Sequence, residues 1–329
     1  MKAVQFSKIG APEEVCDIVE LDEPPAPGKG EVLLEVLYSP INPADLLLLS
    51  GRYGSSLPKL PLIAGGEGLC RVAALGPGVD SFAVGDLTLF PGRGAWRERI
   101  VAPAAALVHL PGDGDPAQLA MLRVNPATAY LMLKQFVELT PGDWVIQNAA
   151  NSGVGHATIT LAREMGVRTL NVVRRDDVEA ELGALGADAV LVDGPDLAER
   201  VAAIVGDGKV KLALDAVGGE ATERLASALS DGGTVVNYGL LSGENCQLSS
   251  RNVVFRNIAL RGFWLAPWFG TASADEISTL YIELARYVAA GTIHVPVEKI
   301  YPFEELGDAL RHAGRPGRGG KILLRFAAA

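Results

Sequence analysis

The sequence predicts an α/β protein in which a doubly wound parallel sheet is inserted into a β-rich domain, and three observations lead there. The first hundred or so residues alternate short strand-like runs with turns rich in Pro and Gly, whereas from position 143 strand-like and helix-like runs alternate through six strands. After the sixth strand the chain continues into a long helix-like run and one closing strand, so that tail can return to the first domain. A chain of 329 residues with 49% hydrophobic side chains has the apolar surface for two such cores.

Taken in order, the run EVLLEVL at 31 to 37 reads as a strand and follows a turn, PPAPGKG, at 24 to 30. The stretch QLAMLRVNPATAYLMLKQF at 118 to 136 reads mainly as helix and helix connection, and it closes the first region. The six later strands are WVIQNA at 144 to 149, TLNVV at 169 to 173, AVLVD at 189 to 193, LALDAV at 212 to 217, TVVNYG at 234 to 239 and IALRGFW at 258 to 264. Then DEISTLYIELARYVAAG at 275 to 291 has a helical pattern, and GKILLRF at 320 to 326 is strand-like. The expected division is a discontinuous outer domain of residues 1–122 and 268–329 around an inner domain of residues 123–267.

Composition narrows the function. A formal charge of −10 argues against a nucleic-acid surface. The three cysteines, Cys16, Cys70 and Cys246, are far apart and form no paired metal-ligand pattern, which predicts a reduced, cytoplasmic protein without a metal site. No signal segment and no bilayer-spanning run is present, so a soluble protein with no membrane partner is expected. The four histidines, His109, His156, His294 and His312, show no paired spacing and no triad arrangement.

The first strand of the inner domain runs into NAANSGVGHA at 148 to 157 and then into a helical pattern. Strand, tight turn and helix in that order let backbone N–H groups and a helix N-terminus face a pyrophosphate. The six-residue fingerprint GxGxxG stands here as Ala150, Asn151, Ser152, Gly153, Val154 and Gly155, with other small residues at two of its three glycine positions. At the end of the second strand, where a carboxylate would select NAD, Arg174 and Arg175 stand instead. Two guanidiniums suit a 2′-phosphate, so the expected cofactor is NADPH; Asp176 and Asp177 can alternatively pair with them on the surface.

These residues resemble the medium-chain dehydrogenase/reductase superfamily over essentially the whole chain. Its zinc alcohol dehydrogenases take metal ligands from a Cys and a Gly-His-Glu segment, near which this chain has Asn42-Pro43-Ala44-Asp45 and Gly65-Gly66-Glu67-Gly68. Glycine offers no side-chain ligand, and the four clustered cysteines that hold a second zinc in those enzymes are absent, so both zinc sites look lost and Glu67 is expected to be a hydrogen-bond acceptor. Within the superfamily, SPINPADLLLLSGRYG, RVNPATAYLML, PGDWVIQNAANSGVG, TLNVVRR and LRGFWLAPW are similar to the trans-2-enoyl thioester reductases, with quinone oxidoreductases next. Gly65-Gly66-Glu67 stands where that group would have Gly-Asn-Glu.

The resemblance implies a Rossmann-type domain inserted into a GroES-like catalytic domain, and NADPH-dependent reduction of an enoyl group carried on coenzyme A or on an acyl carrier protein. It implies Tyr53 as proton donor, and Asn125 and the segment Asn151, Ser152, Gly153 and Val154, with Gly155, at NADPH. It also puts Arg174 and Arg175 at the 2′-phosphate, and Tyr238, Gly239, Leu240, Leu241, Phe263, Trp264, Leu265 and Lys321 along the cofactor. Asn42 and Asp45 either orient substrate or ribose, or simply start a helix. Trp264 and Trp268 follow the sixth strand, where they can line a pocket. A homodimer joined edge to edge at the sixth strand is implied as well. The alternatives are an NADPH:quinone oxidoreductase, which needs no α-proton donor, and a cofactor-loaded binding protein without activity.

Overall fold

The structure is a computed structural model that describes residues 1–326. It contains two compact units, Met1–Val124 together with the chain from Ala272 onward, and Asn125–Thr271. The first unit opens with β1 (Lys2–Phe6), β2 (Cys16–Glu20), β3 (Glu31–Pro40), β4 (Leu62–Ile63), β5 (Leu69–Leu75), β6 (Leu87–Leu89), β7 (Arg99–Pro103) and β8 (His109–Leu110). Among these lie the helices α1 (Pro12–Val15), α2 (Pro43–Leu49) and α3 (Pro116–Leu119). The second unit holds α4 (Asn125–Gln135), β9 (Trp144–Gln147), α5 (Gly153–Glu164), β10 (Arg168–Val173), α6 (Glu179–Ala184), β11 (Ala189–Val192), α7 (Leu197–Val205), β12 (Val210–Asp215), α8 (Glu220–Ala228), β13 (Thr234–Asn237), β14 (Ala259–Gly262) and α9 (Leu265–Thr271). The first unit then resumes with α10 (Ala274–Ala289), β15 (Val297–Pro302), α11 (Leu306–Gly314) and β16 (Lys321–Arg325).

In the first unit β3 organises the larger sheet, pairing antiparallel with β5, β7 and β16. Its EVLLEVL run alternates as a half-buried strand must: Val32, Leu34 and Val36 are fully buried and pack with Cys70, Val72, Phe82 and Phe90. A second core gathers Ile41, Leu49, Trp96, Phe303, Leu310, Ile322 and Leu324, so the closing strand is built into the same domain as the first hundred residues. Helix α10 starts where a capping box fixes it: Ser273 Oγ accepts the Glu276 N–H (3.2 Å) and the Glu276 carboxylate accepts the Ser273 N–H (2.8 Å). Its buried side chains, Leu280, Tyr281, Leu284, Ala285 and Val288, recur at helical spacing.

In the second unit the strands are parallel and ordered β11-β10-β9-β12-β13-β14. All four residues of β9 and five of six in β10 are buried, as in a sheet covered on both faces. The order reverses at β9, so the crevice of a doubly wound sheet lies at its carboxyl end. The fold class is the one the sequence predicts. Among the described residues no helix is long and apolar enough to cross a membrane.

Candidate active site

The chain leaves β9 through Asn148 and Ala149, the latter at φ +49°, a left-handed conformation that few non-glycine residues adopt. Helix α5 then begins with Ser152 as N-cap, its Oγ accepting the Gly155 N–H at 3.1 Å. Gly155 is the one fingerprint glycine that packing enforces: a Cβ there would lie 2.2 Å from the Ala150 carbonyl oxygen. Gln147 ties the turn down, its Nε2 donating to the Gly155 carbonyl (3.0 Å) and to Asn171 Oδ1 on β10 (2.8 Å).

Two further side chains lock this edge, and sequence reasoning missed both. Asn148 Nδ2 donates to Asp215 Oδ1 (2.6 Å), while Asn148 Oδ1 accepts the Ala216 N–H (2.7 Å), joining the carboxyl ends of β9 and β12. Asp215 also accepts from Thr222 Oγ1 (2.6 Å) and from the N–H groups of Val217 and Gly218. Burial opposes its charge, but these donors prevail and hold the carboxyl below the usual range. The available signal was a polar residue ending each of two apolar strands, WVIQN and LALD. With its lone pairs so occupied, Asp215 is a scaffold for the turn.

The other expected residues of this unit, apart from Asn125, collect at or just beyond the carboxyl ends of the parallel strands. Asn151 is exposed in the turn and Val154 is buried at the start of α5; Asn125 is buried at the start of α4. Arg174 and Arg175, both exposed, follow β10. Arg175 Nε lies 3.5 Å from Asp177 Oδ1, a solvated pair of small energy, whereas Arg174 has no ion-pair partner among the described residues. The alternative of surface pairing with a neighbouring aspartate thus holds for one arginine. After β13, the Tyr238 hydroxyl is buried near Ser152 and Asp215 without hydrogen-bond geometry to either, and burial pushes it well above the ordinary range. Gly239 comes so close to the Ala216 carbonyl that a Cβ would lie 2.6 Å from its oxygen, and Leu240 and Leu241 are exposed. After β14, Phe263 meets Phe136 edge to face at 6.1 Å, Trp264 is exposed, Leu265 is buried and Trp268 packs edge to face on Phe269. A helix N-terminus, an orphaned buried hydroxyl and an unpaired exposed arginine at one sheet edge fit a phosphorylated dinucleotide.

The first unit contains a buried polar cluster. Asn42, Asp45, Glu67 and Lys321 are 2%, 5%, 0% and 8% exposed. Asn42 Nδ2 donates to Glu67 Oε1 (2.7 Å), Lys321 Nζ donates to Asn42 Oδ1, and Glu67 Oε2 accepts the Val124 N–H (2.8 Å). The Asn42 N–H donates to Asp45 Oδ2 at 2.8 Å, with Pro43 at the first position of α2, so Asn42 both starts a helix and joins the cluster. Burial pushes Asp45 up to about 6 and Glu67 up to about 7, and pushes Lys321 down to about 8. At Gly65, φ +99°, a Cβ would collide with Trp96 at 2.4 Å, so the glycine lets the segment pass that ring, and at Gly66 a Cβ would stand 3.0 Å from Asp45 Oδ1 of α2. Tyr53 lies half-buried on the loop after α2, with the Arg93 guanidinium 5.0 Å from its ring centroid. Burial pushes the Cys16 thiol up to about 12 and raises Cys70 further, so neither is an activated nucleophile.

Residues 28–112 match the alcohol dehydrogenase GroES-like domain, and residues 153–283 match the zinc-binding dehydrogenase family. The chain is 35% identical over 331 aligned residues to the mitochondrial enoyl-[acyl-carrier-protein] reductase of Homo sapiens, covering 98% of this chain and 88% of that protein. Among solved structures, a candidate NADPH:quinone reductase from Bacillus thuringiensis superposes with TM-score 0.89 at 28% identity, over 98% of each chain. Etr1p in complex with NADP and crotonyl-CoA superposes with TM-score 0.86 at 26% identity, over 98% of this chain and 99% of that one. The expected cytoplasmic location is overturned: the enoyl reductase relatives from Homo sapiens, Dictyostelium discoideum and Arabidopsis thaliana are named as mitochondrial. Sparse, unpaired cysteines do not separate one reducing compartment from another.

The zinc that the second family description names does not fit this cluster. Its members are an amide and two carboxylates, the Glu67 carboxylate is already taken by Asn42 and Val124, and a lysine ammonium sits on the same amide. Among the described residues no group of three His, Cys, Asp or Glu is placed to hold a metal ion.

Proposed function

Because the chain belongs to the family of the mitochondrial-type enoyl-[acyl-carrier-protein] reductases, within the medium-chain dehydrogenase/reductase superfamily, we propose that this oxidoreductase uses NADPH to reduce the carbon–carbon double bond of a trans-2-enoyl thioester. NADPH, when bound, supplies the hydride. Once hydride has reached the β carbon, the α carbon requires a proton, and hydrogen-bond donors must carry the charge on the thioester oxygen. Tyr53 donates that proton or orients a water that does, and the Arg93 guanidinium over its ring helps to hold the ring in place. The N-terminus of α5, from Ser152 to Gly155, receives the pyrophosphate, and Arg174 with Arg175 receives the 2′-phosphate. Asn125, Asn151, Tyr238 to Leu241, Phe263 to Leu265 and Lys321 complete the cofactor contacts, and Asn42 orients the reacting groups. The acyl group rides on coenzyme A or a carrier protein, and two copies associate along β14.

The observation that carries this reading is similarity to enoyl reductases over 98% of the chain, with a tyrosine on the loop that such chemistry requires. The test is a panel of NADPH oxidation assays with crotonyl-CoA, longer enoyl-CoAs, enoyl-carrier substrates and simple quinones. Turnover of the enoyl thioesters should dominate. Quinone turnover with no enoyl turnover would establish the second reading instead, which the closely superposing quinone reductase fold favours.

A further inference from the structure

We propose that the acyl chain reduced at this site carries a carboxylate a few bonds beyond its double bond, and that Arg93 receives it. The thioester and the hydride rest on the functional reading above; the anion site rests on the residues around Tyr53 alone.

Two segments of the first unit bring three guanidiniums into this neighbourhood. Arg93, exposed on the loop between β6 and β7, lies with its guanidinium carbon 5.0 Å from the Tyr53 ring centroid. Arg97 folds back along the same loop, its Nε donating to the Gly94 carbonyl (2.7 Å), and a Cβ at Gly94 would stand 2.7 Å from Arg97 Nη2. Arg123 follows α3, and its Nη1 donates to the Gly66 carbonyl at 3.3 Å. Burial holds Arg97 below its ordinary range; burial, helped by the Arg93 charge, does the same to Arg123 against the pull of Tyr281 and Glu67. The carboxylate nearest to this loop, Asp45, is turned toward the Asn42 N–H (2.8 Å) and forms no ion pair with Arg93. Among the described residues neither Arg93 nor Arg97 has a carboxylate partner, although acidic side chains outnumber basic ones by 39 to 29 and Arg71, Arg99, Arg200, Arg224 and Arg256 each find one. Positive charge gathered without a counter-ion attracts an anion from solution. A guanidinium stacked on a ring also keeps its N–H edge for a carboxylate.

Distance decides which anion. A tyrosine hydroxyl that protonates the α carbon stands about 3 Å from it, and an arginine–carboxylate pair closes at about 2.8 Å. With Arg93 only 5.0 Å from the ring centre, a carboxylate that meets it belongs to the acyl chain itself. The first phosphate of coenzyme A, or of a carrier's prosthetic arm, lies about 15 Å from the thioester when the arm is extended, by the reach of a chain of that many bonds. To be held at Arg93 it would have to fold back across the reacting atoms. The substrate that fits is a trans-2-enoyl thioester ending in a carboxylate, of which glutaconyl-CoA is a short example. Its β carbon gains the hydride of NADPH, the π pair moves onto the α carbon and the thioester oxygen, and the Tyr53 proton completes the α C–H bond. The products are glutaryl-CoA and NADP+, and Tyr53 recovers its proton from water.

The test compares glutaconyl-CoA with trans-2-pentenoyl-CoA, which has the same chain length and a methyl group in place of the carboxylate. In the wild type kcat/KM should favour glutaconyl-CoA about tenfold, the scale of one charge-assisted hydrogen bond at a partly solvated site. Arg93→Met should bring that ratio close to one, and Arg93→Glu should reverse it. Any loosening of the Tyr53 ring slows both substrates and cancels in the ratio. A ratio near one in the wild type overturns the proposal. So does a ratio that Arg93→Met leaves unchanged while both rates fall, which is the result expected if Arg93 holds a phosphate of coenzyme A. Thermal unfolding of the variants should match the wild type, since Arg93 is exposed. Calorimetric titration with the products, glutaryl-CoA and pentanoyl-CoA, decides the matter where neither thioester is turned over. Tighter binding of glutaryl-CoA, lost in Arg93→Met, then sustains the anion site while the functional reading fails, and equal or absent binding overturns the anion site as well. Turnover of both thioesters without preference leaves the functional reading standing and removes the carboxylate from it.

Discussion

Tyr53 is the residue on which the choice between an enoyl and a quinone substrate turns. Its ring carries the Arg93 guanidinium at 5.0 Å, a cation–π contact that fixes the loop on which it sits. Tyr53→Phe removes only the hydroxyl, so folding and NADPH affinity should persist while turnover of crotonyl-CoA falls by roughly two to four orders of magnitude, the usual scale for a general acid. Quinone turnover should change little, because a quinone that has accepted hydride is protonated on oxygen by solvent. A near wild-type rate with crotonyl-CoA, under conditions where chemistry limits turnover, would remove Tyr53 from the mechanism. Tyr53 was singled out in the sequence only through the family resemblance of its segment, and of the two readings open for Asn42 its place at the start of α2 is the one visible in the fold. The contacts of Glu67 and Lys321 with Asn42 were not legible in the sequence, because motif and periodicity report which face a residue occupies and not which distant segment meets it.

At the scale of elements, the β9 turn and α5 were readable in advance because strand, small-residue turn and helix have local causes. Packing explains why two glycines of the fingerprint can be absent: Gly155 alone passes so near the chain that a Cβ would lie 2.2 Å from the Ala150 carbonyl oxygen, while Ser152 serves as N-cap. Gly155→Ala should therefore push the start of α5 away from Ala150 and cost about 1–3 kcal/mol, the usual range for overpacking. Thermal unfolding and NADPH titration on the same protein would show a lower Tm together with weaker binding. An unchanged Tm would mean that the turn relaxes freely and that the glycine is there for another reason. The lock between Asn148 and Asp215 escaped sequence reading for a different cause: a polar residue ending an apolar strand marks the strand's end equally well whether or not it has a partner across the sheet.

For the whole molecule, the open edge of the parallel sheet governs how two copies should associate. Strand β14 ends the parallel sheet, pairing with β13 on one side only among the described residues, and its Leu260 is 40% exposed. The segment just before it exposes Val253 at 45%, Val254 at 66% and Phe255 at 81%. Asn252 before them is buried, so the run turns its three apolar side chains outward and its polar one inward. An edge strand beside exposed apolar side chains invites pairing, and a two-fold operation that sets β14 against its own copy would close the edge and cover the patch on both chains at once. We therefore expect light scattering after size exclusion to give twice the mass of the chain for the wild type at micromolar concentration. Phe255→Glu, which places a charge where the apolar face must lose its water, should give the mass of a single chain with its thermal unfolding little changed, since Phe255 contributes little to the core of its own unit. A wild-type monomer, or a Phe255→Glu protein that remains a dimer, would place the contact elsewhere or remove it.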